Sequence, residues 1–581
     1  MLYRGMTIFL SLVLLPFVAF AQVSVQPIMS FQERHLPVFG SNGMVAAQER
    51  RAAEVGAKIL ENGGNAVDAA VAVGFSLAVT LPIAGNIGGG GFMIIHNAER
   101  DEQIAIDYRE MAPKRATRDM YLDEDGNVDN ETARFSHLSV GVPGTVAGLY
   151  LAHQEYGRLP WKQLLQPAIE QARNGIVLDY FLAYLIERRK KRLCTFAAAC
   201  NYFFDANGVP KKAGDMLVQE DLARTLELIA ENGPEAFYRG AIAEKIAAEM
   251  QRHGGLVDME SLAAYKALTR DVIRGRYRGI EVVTMPPPSS GGVHLVQMLN
   301  VLEQFPLADM GAGSADLIHV LAETARLAYA DRSVHLGDPD FYDVPVEWLT
   351  SAAYAKQMAA TIDMTKVRSS EDVAPGVELS FESDNTTHYS IIDGEGNVVS
   401  NTYTLNFTFG SSIAVTGAGF LLNNEMDDFS AKQNSPNGYG LLGGKANAIE
   451  TDKRPLSSMT PTIVFIDDEP WFATGSPGGS RIITTVLQMI INVVDQGMNI
   501  AAATAAPRVH HQWIPDVLRI EQGFSPDTRV ILEQRGHVLS PQSSMGSLQT
   551  VGIQDGVYIG ASDSRRPGAA SVAPGFQTDV D

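Results

Sequence analysis

Two places in the chain combine residue types that could do covalent chemistry. The runs Thr386-Thr387-His388-Tyr389-Ser390-Ile391-Ile392 and Val398-Val399-Ser400-Asn401-Thr402-Tyr403-Thr404 flank a turn-rich connection, Asp393-Gly394-Glu395-Gly396-Asn397. This pattern predicts a β-hairpin. A hairpin symmetric about Glu395 sets Thr386 opposite Thr404, placing two hydroxyls on one face with Cβ atoms about 5 Å apart. A register slip of one residue would undo the pairing. Taken alone, Asn385-Thr386-Thr387-His388-Tyr389 reads as no more than the start of a strand, where threonine is common. The second place follows another expected hairpin, Thr462–Ile466 and Trp471–Thr474, which ends in Gly475-Ser476-Pro477-Gly478-Gly479-Ser480. An amphipathic helix then runs from Arg481 to about Gln496, with Ser480 or a neighbour as its cap. Glycines between a strand end and a helix N-terminus leave backbone N–H groups pointing outward, suited to an anion or a developing oxyanion. Gly478 and Gly479 are therefore candidates for the electrophilic half of a catalytic site.

The elements that would hold these groups alternate between helices and short strands in the first half of the chain. Periodicity predicts helices over Ala46–Asn62 and Ala66–Leu81 and strands over Gly91–His96 and Gln103–Asp107. Gly88-Gly89-Gly90-Gly91 joins helix to strand; with no following helix or downstream acidic partner, it reads as close backbone packing rather than a dinucleotide loop. The stretch Gly141–Arg274 reads mostly helical, broken at Gly157-Arg158-Leu159-Pro160 and Gly208-Val209-Pro210. The character changes at about Phe381 to alternating β-branched and polar residues.

The 581 residues, 45% hydrophobic and 19% charged, have the composition of an ordinary globular protein. A formal charge of −21 argues against nucleic-acid binding, which needs concentrated Lys and Arg. The one basic cluster, Arg188-Arg189-Lys190-Lys191-Arg192, reads as a solvated helix face. Met1 to Ala21 carries Arg4, an apolar stretch from Thr7 to Phe20 and Ala19-Phe20-Ala21, the pattern of a cleaved secretory signal. No further membrane span is expected, and the destination is the periplasm or the cell exterior. Two cysteines, Cys194 and Cys200, could bridge locally in an oxidising compartment but make neither a disulfide scaffold nor a zinc site. His510 and His511 adjoin, so on a strand they point to opposite faces; together with His388 they read as structural, and no metal is expected.

What changes the reading of Thr386 is the surrounding text: Tyr108-Arg109-Glu110-Met111-Ala112-Pro113, Pro286-Pro287-Pro288-Ser289-Ser290-Gly291-Gly292, Asn423-Asn424-Glu425-Met426-Asp427-Asp428-Phe429, Arg454-Pro455-Leu456-Ser457-Ser458-Met459 and Ala561-Ser562-Asp563. From about Gly43 to Asp563 the chain closely resembles the γ-glutamyltransferases. The resemblance implies an α+β fold, the four-layer αββα sandwich of the N-terminal nucleophile hydrolases. It also implies a precursor that cuts itself between Asn385 and Thr386, so that after loss of residues 1–21 a large subunit, 22–385, stays associated with a small catalytic one, 386–581.

The chemistry supports that implication. A threonine hydroxyl needs a base beside it, and a freed α-amine with a pKa of about 7.7–8.0 is partly neutral at physiological pH. By motif position, Thr386 is the nucleophile, Thr404 orients it, and Gly478 and Gly479 stabilise the oxyanion. Arg109 with Ser457 and Ser458 would hold the α-carboxylate of a γ-glutamyl group, and Glu425, Asp428 and Asn406 its α-ammonium. Some family members carry Gln where Glu425 stands. Without the family context, Arg109 reads as an ion pair with Asp107 or Glu110. Tyr439, between Gly438 and Gly440, matches a lid tyrosine. The resemblance calls for no cofactor; its partners are glutathione and related donors, with water, amino acids or dipeptides as acceptors. The nearest rival is an acylase of the same fold that removes glutaryl groups; an unprocessed binding protein is the rival from another class.

Overall fold

The computed structural model describes residues 34–372, 386–433 and 435–572. The expected leader, residues 1–21, and Asn385, one side of the expected cut, lie outside the described residues.

Two seven-stranded antiparallel sheets dominate. One runs in the order Ala569–Val572, Gly43–Ala47, Thr386–Asp393, Val398–Thr404, Gly90–Asn97, Glu102–Tyr108 and Leu268–Asp271. The other runs Val38–Gly40, Val557–Ser562, Gln549–Gln554, Glu469–Thr474, Thr462–Ile466, Ile280–Thr284 and Ile273–Tyr277. Side chains alternate between the faces of a strand, and here both faces are dry. Ile391 and Val399 turn outward to the helices, whereas Ile392 and Val398 turn inward to meet Ile463 and Phe465 of the facing sheet. Each such side chain, fully buried, contributes about 1.5–3 kcal/mol. Helices Arg50–Glu61, Ala66–Thr80 and Thr145–Tyr156 cover the outer face of the first sheet. Gly291–Leu302, Ala315–His335 and Arg481–Val494 cover that of the second. The result is the expected αββα sandwich.

The connection at the hairpin tip is organised by one carboxylate. Asp393 Oδ1 accepts from Glu395 N and Asn397 N, and its Oδ2 accepts from Asn397 Nδ2 and from Ala66 N at the start of a helix. That helix begins with a reciprocal cap, Asn65 to Asp68 N and Asp68 to Asn65 N. The hairpin and its covering helix are thereby tied together.

Three expectations need correction. Ala46–Asn62 is not one helix: Gly43–Ala47 is a strand between Ala569–Val572 and Thr386–Asp393, and the helix starts at Arg50, capped by Glu49 accepting from Ala52 N. Gly141–Arg274 is mostly helical as expected, from Thr145 to Ala264 with the short strands Ile176–Val177 and Met216–Leu217 between helices, but its end is the strand Leu268–Asp271 and the start of Ile273–Tyr277. Ser480 precedes its helix without capping it through its side chain; Ser480 Oγ donates instead to Gln512 Oε1. Elsewhere the glycine run packs as expected, since a Cβ on Gly89 or Gly91 would strike the carbonyl of Thr404 or Thr402. Cys194 and Cys200 form a disulfide between neighbouring helices. Among the described residues no helix is long and apolar enough to cross a membrane.

Candidate active site

Thr386 begins its strand and pairs with Thr404, the register a symmetric hairpin predicts. Both threonines are buried, and Thr386 Oγ1 donates to Thr404 Oγ1 across 3.3 Å. Thr404 Oγ1 also accepts from Asn406 N at 2.9 Å, so it is held in place by the chain leaving the strand. Along the same inward face the interlayer is polar rather than apolar. His388 shares hydrogen bonds of 2.8 Å with Thr402 Oγ1 and Ser390 Oγ, and Ser390 Oγ donates to Gln549 O of the facing sheet. Burial pushes the His388 imidazole down to about 3, so it is neutral and no useful base.

Thr386 and Thr404 share one small pocket with Arg109, Asn406, Glu425, Asp428, Tyr439, Ser457, Ser458 and Gly479, about 300 Å³ of empty space. Arg109 follows the strand Glu102–Tyr108 directly and is fully buried. Its guanidinium pairs with Glu425 through Nη1 and with Asp428 through Nη2 at 2.5 Å, and Nε donates to Pro455 O at 3.1 Å. The local partners matter less: Glu110 stands 3.6 Å away, and Asp107 takes the backbone N–H of Arg109. Glu425 and Asp428 sit on a short 3-10 turn held from both sides. Asn423 Oδ1 accepts from Gly141 N and Glu425 N, and Asn424 Nδ2 donates to Arg134 O.

The pocket is an electrostatic compromise. Burial raises the Arg109 acids above the ordinary carboxylate range, Glu425 strongly and Glu110 to about 7, while Arg109 opposes the rise. Neither oxygen of Glu110 nor Oε2 of Glu425 has a hydrogen-bond partner among the described residues. A proton retained within this pair at neutral pH relieves both problems.

Gly478 and Gly479 precede the helix Arg481–Val494, with φ of +140° and +54°. A side chain on Gly479 would also stand 2.4 Å from the Tyr439 ring. Tyr439 is buried, stacks edge-on against Phe407 and donates its hydroxyl to Asn406 O at 2.8 Å. It therefore forms part of the pocket wall in this structure. Asn406 Nδ2 is used by Asn424 O, which leaves Oδ1 to accept from another donor.

Gly478 alone of the catalytic and substrate-binding candidates is not part of the pocket wall, though it adjoins Gly479. Sequence reading missed Arg332, which lines the pocket from the helix Ala315–His335. Nothing in its local spacing links it to Arg109. His510 bonds Thr484 and Gln512, and His511 bonds Asp516, as structural histidines do. Among the described residues one group could ligate a metal, His137, Glu249 and His253. Its two rings stack at 20°, so their in-plane lone pairs do not converge, and Arg252 already binds the same carboxylate.

A buried threonine at the head of a strand in an αββα sandwich, sharing a pocket with Gly479 and a charged fork, matches the N-terminal nucleophile hydrolase fold. The family model for gamma-glutamyltranspeptidase matches residues 52–573. A glutathione hydrolase proenzyme of Escherichia coli is 54% identical over 91% of each chain. Among solved structures, a cephalosporin acylase from Bacillus halodurans superposes with a TM-score of 0.82 at 27% identity, covering 94% of this chain and 99% of that one. The Helicobacter pylori gamma-glutamyltranspeptidase gives 0.55 at 45% identity, over 58% of this chain and 96% of that one. The chain belongs to the gamma-glutamyltranspeptidase family.

Proposed function

We propose that the chain is exported by its leader, residues 1–21, to the periplasm or cell exterior, cuts itself before Thr386 and transfers γ-glutamyl groups from glutathione and related donors. In the precursor, Thr386 Oγ1 attacks the Asn385 carbonyl, the peptide C–N bond breaks to leave an ester, and water hydrolyses it. The freed α-amine of Thr386 is the base that maturation creates. In turnover it takes the proton as Oγ1 attacks the donor's γ-carbonyl. Gly478 and Gly479 N–H groups stabilise the oxyanion, and losing one such donor costs about 3–4 kcal/mol of barrier. Collapse breaks the amide bond and the amine leaves with the proton; water or an amino-acid or dipeptide amine then attacks the γ-glutamyl ester, the bond to Oγ1 breaks, and the acceptor's proton returns to Thr386.

The observation that carries this reading is the Arg109–Glu425–Asp428 cluster beside Thr386. A γ-glutamyl group is a zwitterion at its α-carbon. It can insert its carboxylate toward Arg109, Ser457 and Ser458 and its ammonium toward Glu425, Asp428 and Asn406. Each buried charge then keeps an opposite partner, which a buried ion pair requires. Tyr439 would act as the lid, moving about Gly438 and Gly440.

The overlap with the cephalosporin acylase structure favours a second reading, removal of glutaryl-type groups. Such a substrate has no ammonium for Glu425 and Asp428. Turnover of γ-glutamyl-anilide should exceed that of glutaryl-anilide and rise with glycylglycine as acceptor; faster glutaryl cleavage would overturn the assignment. N-terminal sequencing of the purified protein should find a chain beginning at Thr386. In Thr386→Ala the chain should stay whole, and cleavage there would assign maturation to another residue.

A further inference from the structure

Arg332 is 5% exposed and lines the pocket that holds Thr386. Its Nε donates to Ser290 Oγ at 3.0 Å and its Nη2 to Ser458 Oγ at 3.3 Å. Among the described residues these neutral hydroxyls are its hydrogen-bond partners, and no carboxylate pairs with it directly. Tyr329 and, after it, Asp428 act on its charge from further off, opposed by the positive Arg109. Burial draws the guanidinium down to about 10, so it is charged at neutral pH. Buried guanidinium groups are ordinarily matched by anions. Arg109 has its acids already; Arg332 faces the pocket without one.

The hydroxyls show how Arg332 would act. Ser458 Oγ accepts from Arg332, which turns the hydroxyl proton away from the guanidinium and leaves it to donate elsewhere. Ser290 Oγ accepts from Arg332 while donating to Ser457 O at 2.7 Å, and Ser290 N donates to the same carbonyl at 2.8 Å. One guanidinium thus braces both members of the Ser457–Ser458 pair.

Resting on the γ-glutamyl reading above, we propose that Arg332 is a positioning and specificity residue for the donor's α-carboxylate. It aims the Ser458 hydroxyl at the carboxylate, steadies Ser457 through Ser290, and supplies a second positive charge behind them. The negative charge arriving with the donor is the anion this part of the pocket lacks.

The test compares two donors, γ-glutamyl-p-nitroanilide and the analogue whose α-carboxyl is an α-carboxamide, with processed wild-type enzyme and the variants R332Q, R332K, S458A and R332Q/S458A. In R332Q, KM for the acid donor should rise about tenfold or more with kcat changed less than about threefold, as expected for losing charge-assisted donors that act in binding. The preference for the acid donor over the carboxamide should collapse. R332K, which keeps the charge but not the planar fork, should recover part of it. The effects of R332Q and S458A on KM should be less than additive, because one acts through the other. Equal losses with both donors, or an unchanged preference in soluble, self-cleaved R332Q, would overturn the proposal. Should R332Q fail to mature, R332K decides: a wild-type donor preference and KM in that variant would overturn it. Absence of γ-glutamyl-anilide turnover in the wild type would instead strike at the γ-glutamyl reading itself.

Discussion

Glu425 shows how much one side chain can set in this pocket. Beside Glu110 and Asp428 it completes three acids around one arginine, Arg109. Burial holds Glu425 well above its ordinary value and Glu110 at about 7. A raised pKa in the folded state means that the folded protein keeps a proton the unfolded chain has released. The slope of stability with pH is then negative: the contribution is present below the ordinary glutamate value and is lost as pH rises toward about 7. Glu425→Gln removes one of the competing charges, so its melting temperature should exceed the wild type's at pH 8, with the difference shrinking by pH 5. A difference that stays constant with pH would mean that the two carboxylates do not share a proton. The same variant should raise KM for γ-glutamyl-anilide roughly threefold to tenfold, because an amide lacks the charge that meets the donor's ammonium.

At the scale of elements, the loop Gly475–Ser480 and the segment carrying Tyr439 must fit together before either can work. Gly479 needs its left-handed φ of +54° and has no room for a Cβ against the Tyr439 ring. Gly479→Ala should therefore lose about 100-fold or more in kcat through a displaced oxyanion donor. Adding Tyr439→Ala should recover part of that loss by removing the collision; no recovery would place the defect in the strained backbone alone. Elements also explain where sequence reading erred. Ala46 and Ala47 lie in an alanine-rich run with good helix propensity, and propensity is a weak prior. Their strand partners are Ser390 and Tyr389, far along the chain, and no local pattern announces such a pairing. The hairpin was readable because its pairing is local and its turn residues are explicit.

For the molecule as a whole, a cut before Thr386 would divide the sheet between two chains. The strand Thr386–Asp393 lies between Gly43–Ala47 and Val398–Thr404, and Val398–Thr404 in turn pairs with Gly90–Asn97. The two products would share ladder hydrogen bonds and the inner core on both sides of that strand. Separation of the subunits in denaturant should then coincide with loss of secondary structure; release of a folded small subunit before unfolding would contradict the shared core. What the sequence alone determined was the chemistry available: Thr386 opposite Thr404, glycines before a helix, and the motifs that carry the family. These are local, encoded by residue type and short spacing. Only the tertiary structure decided the partners. It set Arg109 against Glu425 and Asp428, brought Arg332 from a distant helix to Ser458, and laid Tyr439 on Gly479. Such contacts join residues from tens to hundreds of positions apart, and those among charges exist because buried charges must find partners once both sheets close over them.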